Sequence, residues 1–113
     1  MLSMNLHIDQ QVEGSTYYVS VAGEVDAYTA PKLKEAILPL AQESGKTVVV
    51  NLEQVNYMDS TGLGVFISAL KSTKENDSQL TLVSLQDRVK RLFDITGLNS
   101  VIDIDSTVQG GNK

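Results

Sequence analysis

Six consecutive residues, Asp59-Ser60-Thr61-Gly62-Leu63-Gly64, bring together a carboxylate, two hydroxyls and two glycines, just after an apolar run. As a catalytic nucleophile Ser60 would need a general base. No Gly-x-Ser-x-Gly elbow surrounds it, the only histidine is the distant His7, and an aspartate is too weak a base near neutral pH. Nucleotide binding would need a Gly-x-Gly-x-x-Gly turn or a P-loop lysine, and neither is present. Two readings remain. In the plainer one, Asp59 and Ser60 cap a helix, since both side chains accept orphan N–H bonds of a first turn. In the other, an exposed serine at a helix head accepts a phosphoryl group, which meets free N–H groups and the positive end of the helix dipole. About two new negative charges would then confront any partner docked there. Glycine in an early helical position costs on the order of 1 kcal/mol relative to alanine, so Gly62 and Gly64 imply a close approach. The approaching group is either the protein's own neighbouring strand or a partner.

The elements that must position this set follow from periodicity. Leu6 and Ile8 alternate with polar neighbours, and a turn at Glu13-Gly14-Ser15 leads into a run with Tyr17, Val19 and Val21 on one face. This predicts an antiparallel pair of strands. A helix follows, with Thr29 as N-cap, Pro31 in its first turn, and Ala30, Leu33, Ile37, Leu40 and Ala41 at helical spacing. Pro39 is expected to kink or shorten its last turn, and Gly45 closes the segment. The run Lys46–Leu52 is apolar on both faces, which predicts a central strand covered on two sides. A helix from Ser60 carries Leu63, Phe66, Ile67 and Leu70 on one face. The strand "QLTLVSL", a helix with Val89, Leu92, Phe93 and Thr96 on one side and Gly97 as C-cap, and the short strand "SVIDID" complete the order β-β-α-β-α-β-α-β. Such an order predicts an α/β fold: a mixed, mostly parallel sheet with an antiparallel N-terminal edge strand and helices packed against it. Functional groups gather outside the carboxyl ends of parallel strands. That rule selects the loops Gly23–Pro31 and Tyr57–Gly64, and it places Asp26 near Asp59 and Ser60.

At 113 residues the chain has the length of one domain, residues 1–113, with a polar, frayed tail over 106–113. A net charge of −5 argues against nucleic acid and anionic membrane surfaces as ligands. With no cysteine and one histidine, no disulfide, thiol chemistry, metal site or cofactor is expected. The N-terminus lacks the basic and apolar regions of a signal peptide and no segment has the length of a membrane span, so a cytoplasmic protein is expected. Arg88, Lys90 and Arg91 form a solvated face or a docking surface, and Tyr28 and Tyr57 either line such a surface or pack partly.

The segments "GEVDAYTAP", "VNYMDSTGLGVF" and "RLFDITGL" resemble the STAS-domain anti-sigma-factor antagonists of bacteria, most nearly those of the sigma-B general stress pathway. The resemblance runs from about Asn5 to Asp103 and implies a STAS-like fold. It implies that Ser60 is the phosphoacceptor, with Thr61 an adjacent hydroxyl, and that Asp26, Asp59, Ser60, Thr61 and Gly62 form the partner-binding surface. The implied protein is not an enzyme. Unphosphorylated, it binds an anti-sigma factor that is also a serine kinase and so frees the sigma factor. The kinase inactivates it using ATP, and a metal-dependent serine phosphatase restores it. A STAS domain of another circuit is the alternative: a sporulation sigma pathway, a stressosome-type scaffold or a nucleotide-sensing module.

Overall fold

Three consecutive valines, Val48 to Val50, lie in the longest strand of the computed structural model, which describes residues 6–105. The expected polar tail over 106–113 lies outside the described residues, as do the first five residues of the N-terminal stretch. The strands are β1 (Leu6–Glu13), β2 (Thr16–Val25), β3 (Thr47–Met58), β4 (Gln79–Val83) and β5 (Asp103–Asp105). The helices are α1 (Ala30–Ala41), α2 (Ser60–Asn76) and α3 (Asp87–Thr96), with a 3₁₀ turn at Leu98–Ser100 before β5. The sheet order is β1-β2-β3-β4-β5; β1 is the antiparallel edge and all other pairs are parallel. The expected mixed sheet is therefore the observed one.

The expectation that β3 is covered on both faces is overturned. Val48, Val50 and Leu52 are fully buried, whereas Thr47, Val49 and Asn51 between them are half-buried. Strand order supplies the reason. From β2 to β5 each crossover steps in the same direction, and right-handed crossovers that never reverse put every helix on one face. On that face Leu33 and Ile37 of α1, Phe66 and Ala69 of α2, and Val89 and Phe93 of α3 join a single core with the strand valines. Phe66 and Phe93 meet at 6.1 Å between ring centroids, and burying each stabilises the fold by about 1.5–3 kcal/mol.

β3 also runs six residues past the apolar segment that signalled it. Against β2 its register shifts between Ser20/Ala22 and again between Gly23/Glu24, each shift adding one residue to β3. A bulge breaks the two-residue period, so the buried positions after Leu52 fall at Val55 and Met58. The loop expected over Tyr57–Gly64 shrinks to Asp59 alone, because β3 ends at Met58 and α2 begins at Ser60.

In α1 the five expected apolar positions are all buried. Pro39 stays inside the helix, which runs on to Ala41. Its end tightens, with the Gln42 N–H bonding to the Pro39 carbonyl at 3.3 Å. In α2, Leu63 and Phe66 are buried as expected and Leu70 partly so, but Ile67 is 47% exposed and Val65 takes its place inside. In α3, Val89 and Phe93 are buried while Leu92 is half-buried and Thr96 exposed. Gly97 ends α3 at φ +78, the left-handed cap its position predicted. Among the described residues, no helix is long and apolar enough to cross a membrane.

Candidate functional site

The carboxyl ends of β2 and β3 are locked together before either side chain of interest begins. Val25 pairs with Met58, and the next N–H, that of Asp59, bonds back to the Val25 carbonyl at 3.2 Å. The segments beginning at Asp26 and Asp59 therefore emerge side by side, as the parallel sheet predicted.

Asp26 organises the first of them. Its Oδ1 accepts the N–H groups of Tyr28 at 2.9 Å and Thr29 at 3.1 Å. Thr29 is the N-cap of α1 as expected, its carbonyl accepting the Lys32 and Leu33 N–H groups, but its side chain bonds no helical N–H. The Thr29 hydroxyl instead accepts the Asp26 N–H at 2.9 Å and donates to the Glu24 carbonyl at 2.8 Å. A buried hydroxyl needs such partners, and the strand end supplied them first.

Asp59 organises the second segment as the N-cap of α2, in extended backbone with φ −116°. Its Oδ1 accepts the Thr61 N–H at 3.0 Å and also the Thr61 hydroxyl in a short bond. Its carbonyl accepts the N–H groups of Gly62 and Leu63. The Thr61 hydroxyl, helped by the surrounding backbone N–H groups, holds the Asp59 carboxyl below the ordinary carboxylate range. The helix head thus offers fewer free donors than the sequence implied. Thr61, Gly62 and Leu63 are all bonded to Asp59, and only the Ser60 N–H has no partner among the described residues.

Stability should follow this carboxylate. A folded-state pKa below about 3.9 contributes stability that is present above that value and lost as pH falls through the folded value. The melting temperature of Asp59→Asn is expected to lie below that of the unsubstituted protein at neutral pH, and the gap should close below about pH 4. Melting curves across pH 2.5–7 check this; a gap that persists at the acid end assigns the effect to shape rather than charge.

The glycines divide. A Cβ on Gly62 would lie 2.7 Å from both Met58 Cγ and Val25 Cγ1, so the close approach at Gly62 is to the protein's own strands. A Cβ on Gly64 would meet nothing within 4 Å. Gly64 lines an open groove of about 480 Å³ between α1 and α2, with Ala27, Pro31, Lys34, Thr61 and Ser68.

Ser60 and Thr61 are exposed, Asp26 and Asp59 half-buried, and Gly62 buried. Tyr28 is 84% exposed and Tyr57 46%. The groove was not foreseen, because it forms between two helices whose spacing no single segment encodes. Ile67 was misplaced in the core although a signal was available: Ser60, Gly64, Ile67 and Lys71 recur at helical spacing and form one outward stripe. Arg88 and Arg91 are exposed at a different helix, and Lys90 pairs with Asp94 at 3.3 Å, as on a solvated face. His7 is an exposed strand residue.

A mixed sheet with helices on one face, and a capped Asp-Ser-Thr-Gly turn at its carboxyl edge, defines a small single-sheet α/β domain. The chain belongs to the STAS domain family, whose pattern matches residues 7–111. Among its relatives is an anti-sigma-B factor antagonist of Staphylococcus aureus, 44% identical over 102 residues that span 90% of this chain and 94% of that protein. An anti-sigma factor antagonist from Mycobacterium paratuberculosis has the same fold, with TM-score 0.81 at 24% identity over 91% of this chain and 87% of that one. So does the Bacillus cell fate determinant SpoIIAA in its phosphorylated form, with TM-score 0.69 at 16% identity over 89% and 93% of the two chains.

Proposed function

We propose that this protein is a cytoplasmic anti-sigma-B factor antagonist, a binding module switched by phosphorylation of Ser60. Unphosphorylated, it docks on an anti-sigma factor and displaces the sigma factor. The anti-sigma factor, acting as a serine kinase with ATP, phosphorylates Ser60 and ends the docking, and a serine phosphatase resets it. The docking surface is the helix head with Asp26, Asp59, Ser60 and Thr61; Gly62 contributes from beneath by letting α2 sit close on Val25 and Met58. One observation carries the reading: the Ser60 hydroxyl is exposed and makes no hydrogen bond to any described residue, although the neighbouring Thr61 hydroxyl and the N–H groups of Thr61, Gly62 and Leu63 are all held by Asp59. Capping is thereby removed as the explanation of Ser60, since Asp59 performs it. The 44% identity to a sigma-B antagonist favours that circuit over the sporulation circuit and over scaffold or nucleotide-sensing roles.

The test is incubation with purified anti-sigma-B factor and ATP, read by intact mass. One added phosphate on Ser60 is expected. Ser60→Ala should take none, should still bind the partner, and should be permanently active. Because Asp59 is the cap, the alanine variant should change fold stability by no more than about 0.5 kcal/mol. A wild-type chain that binds the anti-sigma factor but takes no phosphate would remove the switch from this reading.

A further inference from the structure

Two hydroxyls stand side by side at the head of α2, both exposed, and a kinase that accepts the loop meets both. The structure treats them differently. The Thr61 hydroxyl donates its proton to Asp59 Oδ1, which also accepts the Thr61 N–H at 3.0 Å. The Ser60 hydroxyl has no such partner among the described residues.

Resting on the phosphoacceptor reading above, we propose that Asp59 is a specificity-determining, positioning residue: by holding the Thr61 hydroxyl it restricts phosphorylation to Ser60. In the transfer, the acceptor oxygen bonds to the γ-phosphorus of ATP, the bond from that phosphorus to the β,γ-bridging oxygen breaks, ADP leaves, and the hydroxyl proton passes to a base of the kinase. Ser60 can turn its hydroxyl to suit that geometry at no cost. Thr61 must first give up a hydrogen bond to an ionised carboxylate, among the strongest a neutral hydroxyl makes. A phosphate on Thr61 would then press against the same carboxylate, two like charges in contact. Asp59 cannot swing away cheaply, because its Oδ1 is also the cap of the helix. Breaking a bond of this kind slows the Thr61 reaction by at least about tenfold relative to Ser60.

The experiment compares Ser60→Ala, Ser60→Ala/Asp59→Gly and Ser60→Ala/Asp59→Asn, each incubated with purified anti-sigma-B factor and ATP and mapped by fragment mass. Glycine is chosen because it serves as an N-cap nearly as well as aspartate, so the fold is kept while the acceptor is removed. Asparagine keeps the acceptor oxygen without the charge. Expected are phosphate on Ser60 alone in the unsubstituted chain, almost none in Ser60→Ala, and Thr61 phosphorylation at least about tenfold faster in the glycine variant. The asparagine variant, which keeps the acceptor oxygen but loses its charge, falls between Ser60→Ala and the glycine variant. Prompt Thr61 phosphorylation in Ser60→Ala overturns the proposal. So does an unchanged rate in a glycine variant that melts normally and binds the partner, or an asparagine variant as fast as the glycine one. An unsubstituted chain that takes no phosphate sinks the switch itself together with this inference, which keeps the two failures apart.

Discussion

Phosphorylated on Ser60, the protein is expected to lose about a hundredfold in affinity for the anti-sigma factor while remaining folded. A phosphate brings about two negative charges to a helix head that already carries the half-buried carboxylates Asp26 and Asp59. At roughly 6 Å from one partner carboxylate and an effective dielectric of about 40, the added repulsion is on the order of 3 kcal/mol. Desolvating the phosphate under a docked partner adds to that. Inside the domain the balance is different. The helix dipole and the Ser60 N–H, which has no partner among the described residues, favour the phosphate, while Asp59, already seated as the cap, opposes it. Fold stability should therefore shift by only about 1 kcal/mol in either direction. Partner affinity and melting temperature, both measured on the phosphoprotein, decide the matter. Unchanged affinity rejects the electrostatic switch, and so does a loss of affinity that comes with a collapsed melting temperature. Added salt should restore little of the lost affinity, because the charges stand within a Debye length of one another.

The second large effect separates the two glycines of the turn. Gly62→Val is expected to destabilise the fold severely, because even its Cβ would fall 2.7 Å from Val25 Cγ1 and Met58 Cγ. Met58 has a flexible side chain that can give way, but Val25 is branched, fully buried and fixed in the strand end. Overpacking of this kind costs about 3 kcal/mol, and the melting temperature should fall by on the order of 10–20 °C. Gly64→Ala should do the reverse to the fold. Its methyl meets open space, and alanine in a helix is better than glycine by about 1 kcal/mol, so the melting temperature should rise. The same methyl projects into the groove beside Thr61 and Lys34, and partner affinity should drop if the anti-sigma factor fills that groove. Thermal melting and binding of both variants test this. A Gly62→Val protein that melts normally would show that the strand ends yield, and a Gly64→Ala protein that binds with full affinity would place the partner elsewhere.

The helices were legible because a helix that packs on a sheet writes its buried face into a period near 3.6. Ala30, Leu33, Ile37, Leu40 and Ala41 were read correctly for that reason. The same logic failed at Ile67, where two apolar neighbours, Phe66 and Ile67, sit on opposite sides of the helix boundary between core and solvent. Only the docking of α2 on the sheet decides which of them faces inward. β3 was legible as a strand from its valines and illegible as a long one. Its outer half, Glu53–Met58, carries polar residues, and bulges against β2 displace its buried positions.

From its residues alone, this chain declared an α/β order, a helix beginning at Ser60, and a hydroxyl–glycine turn at a strand's carboxyl end; these are local properties, set by periodicity, caps and backbone preference. It left open whether Asp59 or Ser60 was the cap and which neighbour each glycine approached, and it pointed wrongly to a central strand covered on both faces. Those are questions of what lies opposite, and they were settled only when Val25 came to rest beside Met58. That contact gave Gly62 its reason, aligned the segments of Asp26 and Asp59, and let Asp59 take the cap and the Thr61 hydroxyl together, with the Ser60 hydroxyl left without a partner among the described residues.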